Sequence, residues 1–92
     1  MLIVGGGFIA CEFAQILAGL GVRVTQFYRG EQILRGFDDD ARAIVADAIR
    51  KSGIELLTGT DVAALVQEGA STRVTRTDGQ EARFDAVIYA PG

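Results

Sequence analysis

Gly5-Gly6-Gly7-Phe8-Ile9-Ala10 is a G-x-G-x-x-A run lying between two different hydrophobic patterns. Before it, Leu2-Ile3-Val4 has no polar face, as in a strand buried on both sides. After it, Ile9, Phe13, Ile16, Leu17 and Leu20 recur at helical spacing with Ala10, Ala14 and Ala18 between them, which predicts a helix with one broad apolar face. A glycine turn in that position holds phosphate for specific reasons. Gly5 permits the tight turn, Gly7 has no Cβ and lets the backbone approach a pyrophosphate, and Ala10 keeps the helix close to the strand. The free N–H groups that open the helix, with its dipole, supply the anion site. The bland alternative is a turn that only packs helix on strand. Strand before, helix after and a second strand at the right interval favour a dinucleotide site.

Which dinucleotide depends on the end of that second strand. An NAD site usually places an acid there, about 20 residues beyond the fingerprint, to accept from the ribose 2′-hydroxyl. Val22 to Gly30 contains no acid; it contains Arg29, and Arg35 follows six residues later. Two guanidiniums clamp a 2′-phosphate with charge-assisted bonds, whereas a carboxylate repels it. The pair therefore favours NADPH over NADH. The alternatives are that both arginines are solvated surface residues, or that a small register shift turns Glu31 toward the ribose.

The elements that must position these residues follow from the pattern. Val22 to Phe27 is β-rich, and Arg29 to Phe37 is a loop. Asp38 is the expected N-cap of a second helix through Ala41, Ile44, Val45, Ala48 and Ile49, closed by Lys51 and Gly53. Ile54 to Leu57 reads as a third strand. Val62–Gln67, Thr72–Thr77 and Glu81–Phe84 are short, partly alternating segments, the last two joined through Asp78-Gly79, a hairpin signal. Ala86 to Ala90 is a final buried strand, stopped by Pro91-Gly92. The fold expected is α/β: a Rossmann-like FAD/NAD(P)-binding domain with a parallel sheet, helices and an antiparallel three-stranded β-meander. Residues 1–92 are expected to form a single NAD(P)H-binding domain.

Composition narrows the chemistry further. The 92 residues include one cysteine, Cys11, and no histidine, so an internal disulfide, imidazole ligation of a metal and Ser-His or Cys-His catalysis are excluded. Nine basic against twelve acidic residues, net −3, argues against a general nucleic-acid partner. No apolar stretch has the ~20 residues of a membrane-spanning helix, and no basic leader precedes one, so a cytoplasmic location is expected. Eight of the nine cations are Arg, which suits planar recognition of phosphate or carboxylate.

The runs Gly5-Gly-Gly-Phe-Ile-Ala-Cys-Glu-Phe-Ala14 and Tyr28-Arg-Gly-Glu-Gln-Ile-Leu-Arg-Gly-Phe-Asp38 resemble the NADPH-binding domain of the glutathione reductases, within the flavin-dependent pyridine nucleotide–disulfide oxidoreductases. The likeness extends to the closing Tyr89-Ala-Pro-Gly92. Lipoamide dehydrogenases share the glycine turn but usually carry an acid at the end of the second strand. Trypanothione reductases share the arginine loop but tend to have a longer excursion where this chain has Leu17-Ala-Gly-Leu-Gly-Val22.

The resemblance implies roles residue by residue. Arg29 and Arg35 would hold the 2′-phosphate; Gly5, Gly7 and the helix start through Ile9 and Ala10 would hold the pyrophosphate. Phe8 matches a position often occupied by a Tyr that covers the nicotinamide pocket, and Glu12 a glutamate that orients the nicotinamide and pairs with a lysine of the flavin domain. Ala90 and Gly92 match an Ala-x-Gly turn, in which Pro91 departs from the more usual Thr or Ile. From the residues alone, Phe8 is equally a core residue, Glu12 a solvated glutamate, and Tyr28 either a stacking ring or a strand end. Cys11 reads as a small buried hydrophobe and not as catalytic. The parent enzyme implied would carry FAD, a cysteine pair and a dimerisation domain, and would act as a homodimer. None of these is in this chain, so no catalytic residue is expected here and the chain alone is expected to bind NADPH without turnover.

Overall fold

The computed structural model describes residues 1–34 and 36–90. Strand β1 (Leu2–Val4) leads into α1 (Phe8–Gly19), β2 (Thr25–Phe27), α2 (Asp39–Lys51) and β3 (Glu55–Leu57). A run of strands follows: β4 (Val62–Glu68), β5 (Ser71–Arg76), β6 (Glu81–Phe84) and β7 (Val87–Tyr89). The parallel sheet has the order β3-β2-β1-β7, and β4-β5-β6 form a separate antiparallel sheet. The two helices make the β1–β2 and β2–β3 crossovers, and the meander makes the β3–β7 crossover.

Side chains alternate across the parallel sheet and so divide the core in two. Ile3, Val24, Ile54 and Leu56 face Ala10, Cys11, Ala14 and Ile49 on one side. Leu2 and Phe27 face Val74 on the other, with Val62, Phe84 and Val87 packed around them. The result is three layers: helices, parallel sheet, meander. Phe27 is the main anchor of the second interface. Its ring meets Phe84 edge-on at 6.3 Å, and the Arg76 guanidinium lies 6.0 Å from its centroid. That anchoring fixes the end of β2, where the candidate nucleotide residues begin.

Besides the final strand, which is half-buried at Val87 and Ile88 and exposed at Tyr89 where a buried strand over Ala86 to Ala90 is expected, two sequence expectations need correction. The second strand is shorter than the β-rich run: Val22 and Val24 still pack into the helix-side core, but only Thr25–Phe27 pair with β1 and β3. The Val22 N–H instead caps the first helix at the Leu17 carbonyl, 3.0 Å away, which holds it out of the ladder. The second correction concerns α1. Its buried residues are the small ones, Ala10, Cys11 and Ala14, while Ile9, Phe13, Ile16 and Leu20 are exposed. A helix seated directly on a sheet above a glycine turn must present small side chains to approach closely, so its bulky stripe faces outward.

The second helix starts as expected. The Asp38 carboxylate accepts from the Ala41 N–H at 2.9 Å, Asp39 and Asp40 occupy the first turn, and Arg50 and Lys51 close the last. The β5–β6 hairpin turns at Gly79, with φ +89°. Among the described residues no helix is long and apolar enough to cross a membrane, and no group of His, Cys, Asp and Glu is placed to hold a metal ion.

Candidate dinucleotide site

Parallel pairing places Val4 beside Phe27 on one side and Tyr89 on the other, so the chain leaves β1, β2 and β7 at one edge of the sheet. The glycine turn, Tyr28-Arg29 and Ala90 therefore lie together. The connection from β1 runs to β2 on one side, while β7 fills the other, which makes this edge a topological switch point where α/β sheets bind ligands.

The turn is pinned on all sides. The Gly5 N–H donates to the Phe27 carbonyl at 2.9 Å, and its own carbonyl accepts from the Gln26 amide at 2.9 Å. The Gly6 carbonyl accepts from the Leu34 N–H at 2.7 Å and from the Cys11 thiol at 3.7 Å. Gly5 has φ +145°, and a Cβ there would stand 2.3 Å from the Ala90 carbonyl oxygen, so glycine is required on both counts. Ala10 and Ala90 both pack into the core beside it. A Cβ on Gly6 would meet the Tyr28 ring at 2.6 Å. That ring also lies over Gly30, so Tyr28 is a packing residue that spans turn and loop.

Above the turn, α1 begins bare. Gly7 is its N-cap, with no side-chain cap bond, and the first turn holds no acid. Its leading N–H groups and the positive end of the dipole are left for an external anion. Phe8 and Ile9, each 65% exposed, flank this end; the structure thus takes Phe8 out of the core. Glu12 is exposed one turn further on, at the rim of a cleft of about 230 Å³ between the helices that Phe8 and Cys11 also line. Burial pushes the Cys11 thiol up from its ordinary value, against a smaller opposing effect of the Gln26 contact. A buried, protonated thiol is no nucleophile.

Beyond β2 lies a larger cavity of about 820 Å³, lined by Tyr28, Arg29, Glu31, Gln32, Asp39 and Arg42. Arg29 is exposed at its wall. Ion pairs among the described residues occupy Arg42, Arg73, Arg76 and Arg83, and Arg29 is in none of them. Arg35, Pro91 and Gly92, the remaining positions singled out in the sequence, lie outside the described residues.

Two residues that the sequence did not single out build this half of the site. Arg42 donates from Nε to the Ile33 carbonyl at 2.9 Å and from a terminal nitrogen to the Gln32 carbonyl at 3.0 Å, tying the loop to α2. Leu34 is the one described non-glycine residue with positive φ, +58°, and it is buried against the core. That conformation costs roughly 1–2 kcal/mol, offset by burial of its side chain and its bond to Gly6. The loop is thus held at Leu34 and Arg42. An arginine three residues into a helix, or a leucine in a loop, has no signature of its own in a sequence.

The sequence pattern of the family described as "Pyridine nucleotide-disulphide oxidoreductase" matches residues 1–79. The chain belongs to this family. Its relatives include a glutathione reductase from Burkholderia cepacia, 49% identical over 98% of this chain and 20% of that protein. A dihydrolipoyl dehydrogenase from Chlamydia pneumoniae is 34% identical over the whole chain, again 20% of the relative. Among solved structures, the flavoprotein disulfide reductase RclA of Escherichia coli superposes with TM-score 0.89 at 26% identity, over 99% of this chain and 20% of that one. The chain therefore spans about a fifth of the length of the relatives it matches. The family uses both FAD and NAD(P), and membership by itself selects neither.

Proposed function

We propose that this chain binds NADPH at the carboxyl edge of its parallel sheet, as the nucleotide-binding module of a flavin-dependent disulfide reductase of the glutathione reductase kind. The observation that carries the reading is Arg29, exposed and outside every ion pair among the described residues, on the wall of the cavity beyond β2. The cradle fits the cofactor: a turn where only glycine is accommodated, a helix N-terminus without cap or acid, and a cavity able to take the adenosine end. Gly5, Gly7, Ile9 and Ala10 hold the pyrophosphate; Arg29, with Arg35, holds the 2′-phosphate; Tyr28 backs the site between them. Phe8, Glu12, Ala90 and Gly92 border the nicotinamide end. NADPH held there would supply hydride-transfer chemistry to the flavin-dependent parent enzyme. The residues of this chain bind and orient, and none of them carries chemistry.

The outward stripe of Ile9, Phe13, Ile16 and Leu20 on α1 supports the modular reading. The relatives are about five times as long, and we assign this stripe to packing against the flavin and dimerisation domains of the same, homodimeric parent.

One observation favours a second reading. Glu31 lines the same cavity, and a carboxylate there suits a free ribose 2′-hydroxyl, as in NADH or FAD. Titration of the chain with NADPH, NADH and FAD separates the two. The NADPH reading expects NADPH to bind at least tenfold tighter than either competitor; equal or tighter NADH or FAD binding overturns it. A glutathione disulfide reductase assay of the chain with NADPH is expected to show no turnover.

A further inference from the structure

Gln26 is the polar residue that the chain places in the middle of its helix-side core. In register it stands between Ile3 of β1 and Leu56 of β3, in a row that is otherwise apolar, and it is fully buried. Its amide nitrogen donates to the Gly5 carbonyl at 2.9 Å and to the Cys11 sulfur at 3.6 Å, while its Oε1 has no partner. An apolar side chain of the same size would fill the space without the unpaired Oε1, but it would leave the Gly5 carbonyl without its donor. What only an amide supplies here is a donor to Gly5. In a trans peptide the C=O and N–H point in opposite directions. Holding the Gly5 carbonyl toward Gln26 therefore turns the Gly6 N–H away from the core. The bonds from Leu34 and Cys11 to the Gly6 carbonyl do the same for the Gly7 N–H. Among the described residues neither of these N–H groups has a backbone acceptor.

We infer that Gln26 is a positioning residue: from inside the core it orients the peptides of the glycine turn so that their N–H groups face the pyrophosphate. The inference deepens the proposed function and rests on the turn being a dinucleotide site. Gln26 touches no nucleotide; it acts through Gly5. Its effect falls on every ligand that carries the pyrophosphate and spares one that carries only the 2′-phosphate.

The test uses the full chain and three probes: ADP-ribose, NADPH and adenosine 2′-monophosphate. Gln26→Leu is expected to weaken ADP-ribose and NADPH by about three- to tenfold and to leave adenosine 2′-monophosphate unchanged. Gln26→Met serves in its place if the leucine chain does not fold. Gln26→Glu supplies a readout that packing alone does not move. Its protonated carboxyl donates to the Gly5 carbonyl, and its anion faces that oxygen without a proton. ADP-ribose affinity of this variant should therefore rise as pH falls from 8 to 5.5, while wild type and Gln26→Leu stay flat. Ile3 and Leu56 beside it are apolar, and the one titratable group bonded to it among the described residues, Cys11 on α1, has its thiol pushed up by burial and stays neutral in that range. Unchanged ADP-ribose binding by Gln26→Leu, equal losses for all three probes, or a flat pH profile for Gln26→Glu overturns the inference alone. Wild-type protein that binds neither ADP-ribose nor NADPH overturns it together with the proposed function.

Discussion

The chain makes the same connection twice, from a parallel strand to a helix at one edge of the sheet, and builds the two in opposite ways. Between β1 and α1 there are three glycines, a helix N-terminus with no side-chain cap and no acid in the first turn. Between β2 and α2 there is a long loop ending in Asp38, which caps its helix, with Asp39 and Asp40 behind it. The second helix satisfies its own positive end with carboxylates, so an anion near it must be held by side chains. The first leaves that end for a ligand. Topology alone offers two anion sites; on the proposed reading, the residues at the two helix starts decide that backbone reads one phosphate and guanidinium the other. Under the proposed function, general nucleotide affinity resides in the core-pinned turn, and selectivity in the surface loop.

The largest effect should come from breaking the turn. Gly5→Ala adds a Cβ against the Ala90 carbonyl at a φ unsuited to alanine; it should cost about 2–5 kcal/mol of stability, lower Tm by roughly 10 °C or more and abolish binding of NADPH and NADH alike. Calorimetry and a nucleotide titration check both parts. Giving the first helix the second helix's character should come next. Ile9 is exposed, so Ile9→Asp should fold normally, yet weaken both nucleotides by roughly tenfold or more through repulsion of the pyrophosphate. Arg42→Ala frees the loop at Gln32 and Ile33. The NADPH dissociation constant should rise about three- to tenfold with NADH nearly unchanged. Smallest is Asp38→Ala, which removes the cap of α2: about 1 kcal/mol of stability lost in thermal melts, with no change in the ratio of NADPH to NADH affinity.

Much of this was legible in the residues because the relevant signals are local. The glycine run between a strand pattern and a helix pattern, Asp38 before a periodic run, and Asp78-Gly79 between alternating segments each specify their geometry over a few residues. What was not legible depends on the third dimension. The bulky stripe of α1 reads as a buried face because size usually marks burial; close seating on a sheet reverses that, and Ala10, Cys11 and Ala14 go inside. Val22 and Val24 carry β propensity but join the core as a connection. Gln26 and Arg42 act on carbonyls of distant segments, and backbone acceptors leave no trace in a sequence. For Arg29 the sequence supplied the charge, and the fold supplied the cavity beside it, together with Glu31 on the same wall.

The central claim is that fixed positive charge beyond β2 selects the phosphorylated nucleotide. Titrating NADPH and NADH against wild type and against the Arg29→Ala/Arg35→Ala double variant tests it most directly. Losing one well-formed charge-assisted contact costs about 1.5–3 kcal/mol, so NADPH affinity should fall roughly tenfold or more while NADH affinity holds. Equal losses for the two nucleotides, or none for NADPH, would contradict the account.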